Sequence, residues 1–378
     1  VSGATTRKDI VTMTTKSLHT SLVLLVLLTA TPAPAAVLQV ANNGLDAAAC
    51  GSKAAPCRTI GQAIDNAVAG DTIVVGPGRY GDLDRDGTLG EANEEGPETF
   101  AAILIDKAIA VESSAGAAAT VIDVAGFNRK AVRITASGAR FGKPKKGFTL
   151  FDSSNAGVSI DDTAVGVIVE GNLAIRTLTG FQVNSDGAGN LLQGNIGSAN
   201  STGFGLGGPG AVARANLAVA NSGDGFDLGG GGPRCEGNVA TGNGSFGYGV
   251  FFHTTATIAG GVAIGNVQGI FGGNGDQLDV SGLAAIANLL DGVHNQGTTT
   301  MTLTASNLVG NGTKALGSLN CGTINENNAL TASNVFWGAA AGPGDDPADR
   351  VCDFGNAVTA IEPIAPKPFK IKTKVPQL

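Results

Sequence analysis

The sequence predicts an all-β solenoid whose coils are about 22 residues long, and three observations carry that prediction. The first is a recurring Asn followed by an apolar residue: Gly-Asn-Leu-Ala begins at Gly171, Gly-Asn-Ile at Gly194, Ala-Asn-Leu-Ala at Ala215 and Gly-Asn-Val-Ala at Gly237. The marker residues Asn172, Asn195, Asn216, Asn238, Asn266, Asn288, Asn307 and Asn334 stand at intervals of 23, 21, 22, 28, 22, 19 and 27. The second is that the short apolar runs between them are punctuated by Gly, Asn and Ser, which suits strands and tight turns. The third is the period itself, which is too short for paired helices and carries no leucine-rich or propeller signature. Stacked coils place equivalent positions about 4.8 Å apart. Asn side chains can then bond one another from coil to coil, as can the second Asn in three consecutive coils (Asn200, Asn221, Asn243), and Phe181, Phe204 and Phe226 can stack inside.

From about Val37 to Pro366 this pattern resembles the secreted right-handed parallel β-helix proteins of the pectin-lyase-like fold. That resemblance implies an architecture and not an activity, because one scaffold of this kind carries many functions.

Taken in order, residues 1–35 read as a secretory signal peptide. Lys16 precedes the apolar run Leu22 to Leu28, Ala33-Pro34-Ala35 supplies a small-residue cleavage pattern, and Met13 is an alternative translation start. Seven apolar residues fall far short of the roughly 20 that a spanning helix needs. The expected location is therefore extracellular, or periplasmic in a host with an outer membrane. Without residues 1–35 the chain has 21 basic and 30 acidic groups, for a net charge of −9, which argues against nucleic acid or an anionic membrane as partner. With 58 Gly and 15% charged residues, the composition fits many thin, turn-rich coils in a single domain over 36–366.

Residues 36–69 are expected to cap the first coil. Ile60, Ala63, Ile64, Ala67 and Val68 follow Thr59 at helical spacing, so a short helix with one apolar face is predicted behind a Thr N-cap. Five Cys in an exported chain point to disulfides. Cys50 and Cys57 are separated by six residues in one loop, and Cys321 and Cys352 flank the end of the repeats, so these are the predicted pairs; Cys235 is left over and expected to be buried. The series Cys-x6-Cys-x-Thr-Ile, then Gly-Asp-Thr-Ile-Val-Val from Gly70 and Gly78-Arg79-Tyr80, resembles the usual opening segment of the β-helix family.

The loop 82–98 holds seven acids, Asp82, Asp84, Asp86, Glu91, Glu94, Glu95 and Glu98, against one base, Arg85. Asp82-Leu83-Asp84-Arg85-Asp86-Gly87 is the opening half of a calcium loop, but Asn93 stands where the twelfth-position Glu belongs and Glu94 comes one later. Two readings stand: a calcium site with the irregular ligand set Asp82, Asp84, Asp86 and Glu94, or a flexible acidic insertion. The basic cluster Arg129, Lys130, Arg133, Arg140, Lys143, Lys145 and Lys146 reads as solvated turn residues, with a groove for acidic glycan as the alternative.

No catalytic motif emerges. The resemblance implies several Asp residues, a Gly-His-Gly and an Arg-Ile-Lys triplet for a polygalacturonase-type hydrolase; Asp161-Asp162 and Arg133-Ile134-Thr135 are the nearest features, and Gly-His-Gly is absent. Neither the Asp-His segment nor the paired Arg motif of pectate lyases is present, and His253 and His294 lie in no recognisable catalytic context. Asp224, Asp227, Asp276 and Asp279 do not align into one column. Two residues before the marker Asn stand Glu170, Gln193, Arg214 and Glu236, a polar column that is either surface solvation or a glycan-facing stripe, and the four are the candidate substrate-binding residues. Asn334-Val335-Phe336-Trp337-Gly338 resembles the family's closing segment, so 333–366 is expected to cap the last coil, and the Lys- and Pro-rich 367–378 is expected to be a disordered basic tail.

The expected function is that of an exported, monomeric, non-catalytic scaffold that meets an extracellular polysaccharide or a cell-surface partner. The alternative is a polysaccharide lyase or glycoside hydrolase acting on an acidic glycan, with a site assembled by stacking.

Overall fold

The computed structural model describes residue 3 and residues 34–376, except 97–99, 125–128, 252–253, 274–276, 298–299, 313–320 and 327. The expected signal peptide, together with Glu98, His253 and Asp276, therefore lies almost wholly outside the described residues. Among the described residues no helix is long and apolar enough to cross a membrane. The body from Ala35 onward forms one compact unit.

Each coil contributes one short strand to each of three parallel sheets, here called A, B and C, which hold 13, 10 and 11 strands among the described residues. One coil illustrates the path: Leu191–Gln193 in sheet A, Ile196–Ser198 in sheet B and Thr202–Leu206 in sheet C. The next coil lies on it in register, with Leu192 beside Ala213, Gly197 beside Ala218 and Phe204 beside Phe226. Strands this short have no stability alone. They persist because every inward side chain stacks on its equivalent one coil away.

The interior shows how the sequence divides volume. On sheet C the column Phe181, Phe204, Phe226 and Tyr248 stacks with centroids 5.1, 4.8 and 5.0 Å apart. In the same coils sheet B supplies the small inward residues Ala174, Gly197, Ala218 and Ala240. Bulk on one wall is matched by small side chains on another, which is how a narrow core reaches crystal-like density.

Six of the eight marker Asn residues fall into two columns, and Asn307 and Asn334 into neither. Asn172, Asn195, Asn216 and Asn238 occupy the turn between sheets A and B, each Nδ2 donating to the Oδ1 of the next at 3.2, 3.2 and 3.1 Å. Asn266 and Asn288 belong instead to the turn between sheets B and C, where Asn200, Asn221, Asn243, Asn266, Asn288 and Asn311 form an equivalent ladder that ends on Asp349. The interval of 28 is one coil plus the five-residue step between the two turns. After Asn238 the first column cannot continue: a side chain at Gly261 would meet the Asn238 carbonyl at 2.4 Å, and Tyr248 Oη donates to that oxygen instead. Asn307 pairs beside Ala284 within sheet B, and Asn334 sits in a left-handed turn.

The N-terminal end is closed by the helix Ile60–Asn66, with Thr59 as its N-cap. Ile60, Ala63 and Ile64 are buried beneath it. Both ends of the helix are held from elsewhere in the chain: Glu95 accepts the N–H groups of Ile60 and Gly61 at 2.8 and 2.9 Å, and Lys107 Nζ donates to the carbonyls of Ile64, Asp65 and Ala67. These are the backbone groups that a helix leaves unsatisfied. Cys50–Cys57 and Cys321–Cys352 are disulfides, and Cys235 is free and buried.

Candidate functional site

Side chains of sheet C alternate inward and outward, so the register lines up an outer row: Arg133, Ser159, Gln182, Gly205, Asp227, Gly249, Phe271 and His294. Three groups of functional side chains gather along it.

At one end, Asp161 accepts from Lys130 Nζ, from Arg133 Nε at 2.8 Å and from Ser159 Oγ at 2.6 Å, and Arg133 also reaches Asp162 at 3.0 Å. Burial would raise the Asp161 pKa, but these three donors outweigh it and hold it below the usual carboxylate range. Lys143 and Lys146 likewise both bind Glu112 at 2.8 Å, so four members of the basic cluster are paired; Arg129, Arg140, Lys143 and Lys145 are exposed to solvent, whereas Lys130 and Arg133 lie on a strand and not in a turn.

In the middle, Asp224 and Asp227 come together, three residues apart, Asp224 just before the strand Phe226–Leu228 and Asp227 within it. Asp224 accepts the Phe246 N–H at 3.2 Å, whereas Asp227 has no hydrogen bond among the described residues, and burial followed by repulsion from Asp224 pushes its pKa up to about 6. Beside them Phe246 stacks on Phe271 at 4.4 Å, and Phe251 leans on both at 5.7 and 5.6 Å. Gly249 makes this platform possible, because a Cβ there would meet the Phe251 ring at 2.6 Å and Phe246 at 3.1 Å.

At the far end, Gln268 Nε2 lies 2.8 Å from both Asp291 Oδ2 and His294 Nδ1, and His294 Nε2 lies 3.2 Å from Glu326. Burial works to lower the His294 pKa, but Asp291 and Glu326 raise it on balance. The ring meets Phe271 edge-on at 5.4 Å, which joins this group to the aromatic platform.

The polar column predicted on sheet A is also in register: Glu170, Gln193, Arg214 and Glu236 are successive partners. Gln193 donates to Glu170 at 2.7 Å, and Arg214 pairs with Glu236 at 2.8 Å, so these side chains largely satisfy one another. The stretch expected to be a disordered tail returns over this face. The Phe369 N–H and carbonyl exchange 2.9 Å hydrogen bonds with Asn307, and Lys374, Val375 and Pro376 line a cavity of about 450 Å³ with Glu170, Gln193 and Arg214.

In the acidic loop, Asp82, Asp84 and Asp86 each bring a carboxylate oxygen within 4.8 Å of the others. Glu94 stands outside that trio and accepts the Leu83 N–H at 2.7 Å. Glu95 belongs to the helix cap, and its burial there, partly offset by the Ile60 and Gly61 N–H groups, raises its pKa to about 7. Trp337 is fully buried, as suits a cap.

Sequence reasoning missed the sheet C site. Asp224 and Asp227 are neighbours in one coil, but Gln268, Asp291, His294 and Glu326 come from three successive coils, and the marker series changed columns between Asn238 and Asn266, so alignment on it as a single Asn column could not bring them together. The signal that was available was local: Phe246 and Phe251 flank a Gly-rich strand that no core-only reading explains.

A family described as "Protein of unknown function (DUF1565)" matches residues 42–87, covering the cap and the start of the acidic loop. No curated protein matches the chain. Among solved structures, the pectate lyase Pel9A is similar with a TM-score of 0.53 and 19% identity, covering 85% of this chain and 78% of that one. The A-module of the Azotobacter vinelandii mannuronan C-5 epimerase AlgE4 has a TM-score of 0.43 and 14% identity over 78% of this chain and 88% of its own. A rhamnogalacturonan lyase has 0.44 and 14%, with 87% of each chain covered. Together with the three parallel sheets, the pectate lyase likeness makes the fold a right-handed parallel β-helix of the pectin-lyase-like kind.

Proposed function

We propose that the outer face of sheet C binds an extended polysaccharide in an extracytoplasmic setting. The observation that carries this reading is the aromatic platform on the outer row, half-buried Phe246 and Phe251 resting on the buried Phe271, beside the half-buried Asp224 and Asp227. Aromatic faces receive the apolar faces of sugar rings, and neighbouring carboxylates accept hydroxyl hydrogen bonds. The charges nearest the platform are Asp224, Asp227, Asp291 and Glu326, with His294, whereas Lys130 and Arg133 lie four rungs from Asp227 and are already paired to Asp161. A uronate chain would meet carboxylates there, so the preferred ligand is a neutral or amine-bearing glycan. The two disulfides support an oxidising compartment.

Affinity electrophoresis of the folded protein against neutral, amine-bearing and uronate polysaccharides tests this. Retention by a neutral or amine-bearing chain, reduced at least about 10-fold in Phe246→Ala and unchanged in Arg214→Ala, is the expected result; a loss of one aromatic contact of about 1.4 kcal/mol corresponds to that factor. Retention by uronates alone, or by nothing in the panel, refutes it.

One observation favours a second reading, cleavage of the bound chain. Asp227, with a pKa of about 6 and a second carboxylate beside it, is suited to proton transfer near neutrality. New reducing ends that vanish in Asp227→Asn would establish it.

A further inference from the structure

We infer that the loop from Asp82 to Glu94 is a calcium site that secures the N-terminal cap of the solenoid. This rests on no part of the glycan reading. The Asp82, Asp84 and Asp86 carboxylates converge within 4.8 Å, and Asp82 is fully buried. Its two oxygens accept the N–H groups of Arg85 and Gly87 at 2.5 and 2.8 Å, which uses about two of its four acceptor positions. The one base in the loop does not neutralise this charge: Arg85 turns away to pair with Asp152 at 2.7 Å, and lies 3.7 Å from Asp123.

A separate observation points to a ligand. Glu94 is only 7% exposed, and its Oε2 is buried with no hydrogen-bond partner. Its other oxygen is fixed on the N–H of Leu83, the residue between Asp82 and Asp84, so the Glu94 carboxylate lies against the backbone of the trio while standing outside its 4.8 Å set. A buried carboxylate oxygen without a donor is costly unless a cation completes it. The apparent defect in the sequence, an acid one position too late, is absorbed by the backbone. Asn93 takes a left-handed conformation with φ of 70°, and this extra residue turns Glu94 back toward the start of the loop. Three converging carboxylates, with Glu94 close enough to be drawn in and no nitrogen or sulfur ligand, select a hard cation, and an irregular loop that supplies flexible oxygen ligands suits calcium better than the strict octahedron of magnesium.

Structurally, Glu94 is followed by Glu95, which caps the helix Ile60–Asn66 through Ile60 and Gly61. A cation drawing in Glu94 therefore also fixes the residue that closes the first coil.

The test uses the full chain, stripped with a chelator and titrated with calcium or magnesium by calorimetry, with hydrogen exchange at Ile60 and Gly61 as a second readout. The expected result is one saturable calcium site with Kd between about 10⁻⁶ and 10⁻³ M, weaker binding of magnesium, and slower exchange at both amides when calcium is bound. Asp84 and Asp86 are exposed, so Asp84→Asn and Asp86→Asn can be made without disturbing the core, and each should weaken binding at least about 10-fold. No saturable binding overturns the proposal. So does calcium binding unchanged in both variants, or saturation that leaves Ile60 and Gly61 exchange unaltered.

Discussion

Replacing Asn221 with Ala cuts one rung of the longer Asn ladder, and its cost can be worked from the contacts. Asn221 Oδ1 accepts the Asn200 N–H at 3.0 Å, and Nδ2 donates to the Gly197 carbonyl at 3.2 Å and to Asn243 Oδ1 at 2.8 Å. In the variant, Asn243 Oδ1 keeps the Asn221 N–H at 3.2 Å, so it is not orphaned. The Asn200 N–H in the turn and the Gly197 carbonyl on the adjoining strand each lose a buried side-chain partner. At about 1–3 kcal/mol for each group left unsatisfied, the loss is about 2–6 kcal/mol. Because a solenoid couples mainly neighbouring coils, the damage should be local: hydrogen exchange should accelerate across about two coils on either side while the ends keep their protection. Urea unfolding followed by hydrogen exchange mass spectrometry measures both, with the exposed Asn43→Ala as a control expected to change stability by less than about 0.5 kcal/mol. A loss under about 1 kcal/mol for Asn221→Ala, with protection near Gly197 unchanged, would refute the view that these amides hold the turns.

Two further outcomes are expected. The Asp227 pKa is raised to about 6 against an unfolded value near 3.9, so its contribution to stability is complete below about pH 4 and is lost as pH rises through 6. Asp227→Asn should therefore gain about 1–2 kcal/mol relative to the parent between pH 4 and 7.5, allowing for partial exposure, and a pH-independent difference in denaturation midpoints would contradict the assigned environment. Asn307→Ala should release the C-terminal stretch that its amide holds, so trypsin should cut after Lys370 and Lys372 faster than in the parent; equal rates would mean that the Asn307–Phe369 pair does not anchor it.

Much of the molecule was legible in the sequence, for a definable reason. A solenoid repeats one local solution, so the roughly constant interval, the Gly-Asn turns, the stacked Phe residues and the terminal caps all write themselves into a linear pattern. The two Cys pairs and the Thr59 cap were equally local. The sheet A column could also be read, because Glu170, Gln193, Arg214 and Glu236 precede four consecutive members of one Asn column.

What tertiary structure decided was which outward side chains meet and which distant loops close on one another. Sheet C residues Asp227, Phe271 and His294 lie on one outer row through Gly249 at intervals of 22, 22 and 23. That period was in the sequence, but the marker series hid it by passing from one Asn column to the other between Asn238 and Asn266. Contacts that join distant loops follow no such period: Glu95 on the helix N-terminus, Glu94 on Leu83, and Phe369 on Asn307, 62 residues away. The sequence by itself determined that coils would stack and roughly where each begins, because backbone turns and apolar alternation are local. Which outward side chains become neighbours was settled by packing, since a shift of one residue in a strand exchanges its two faces.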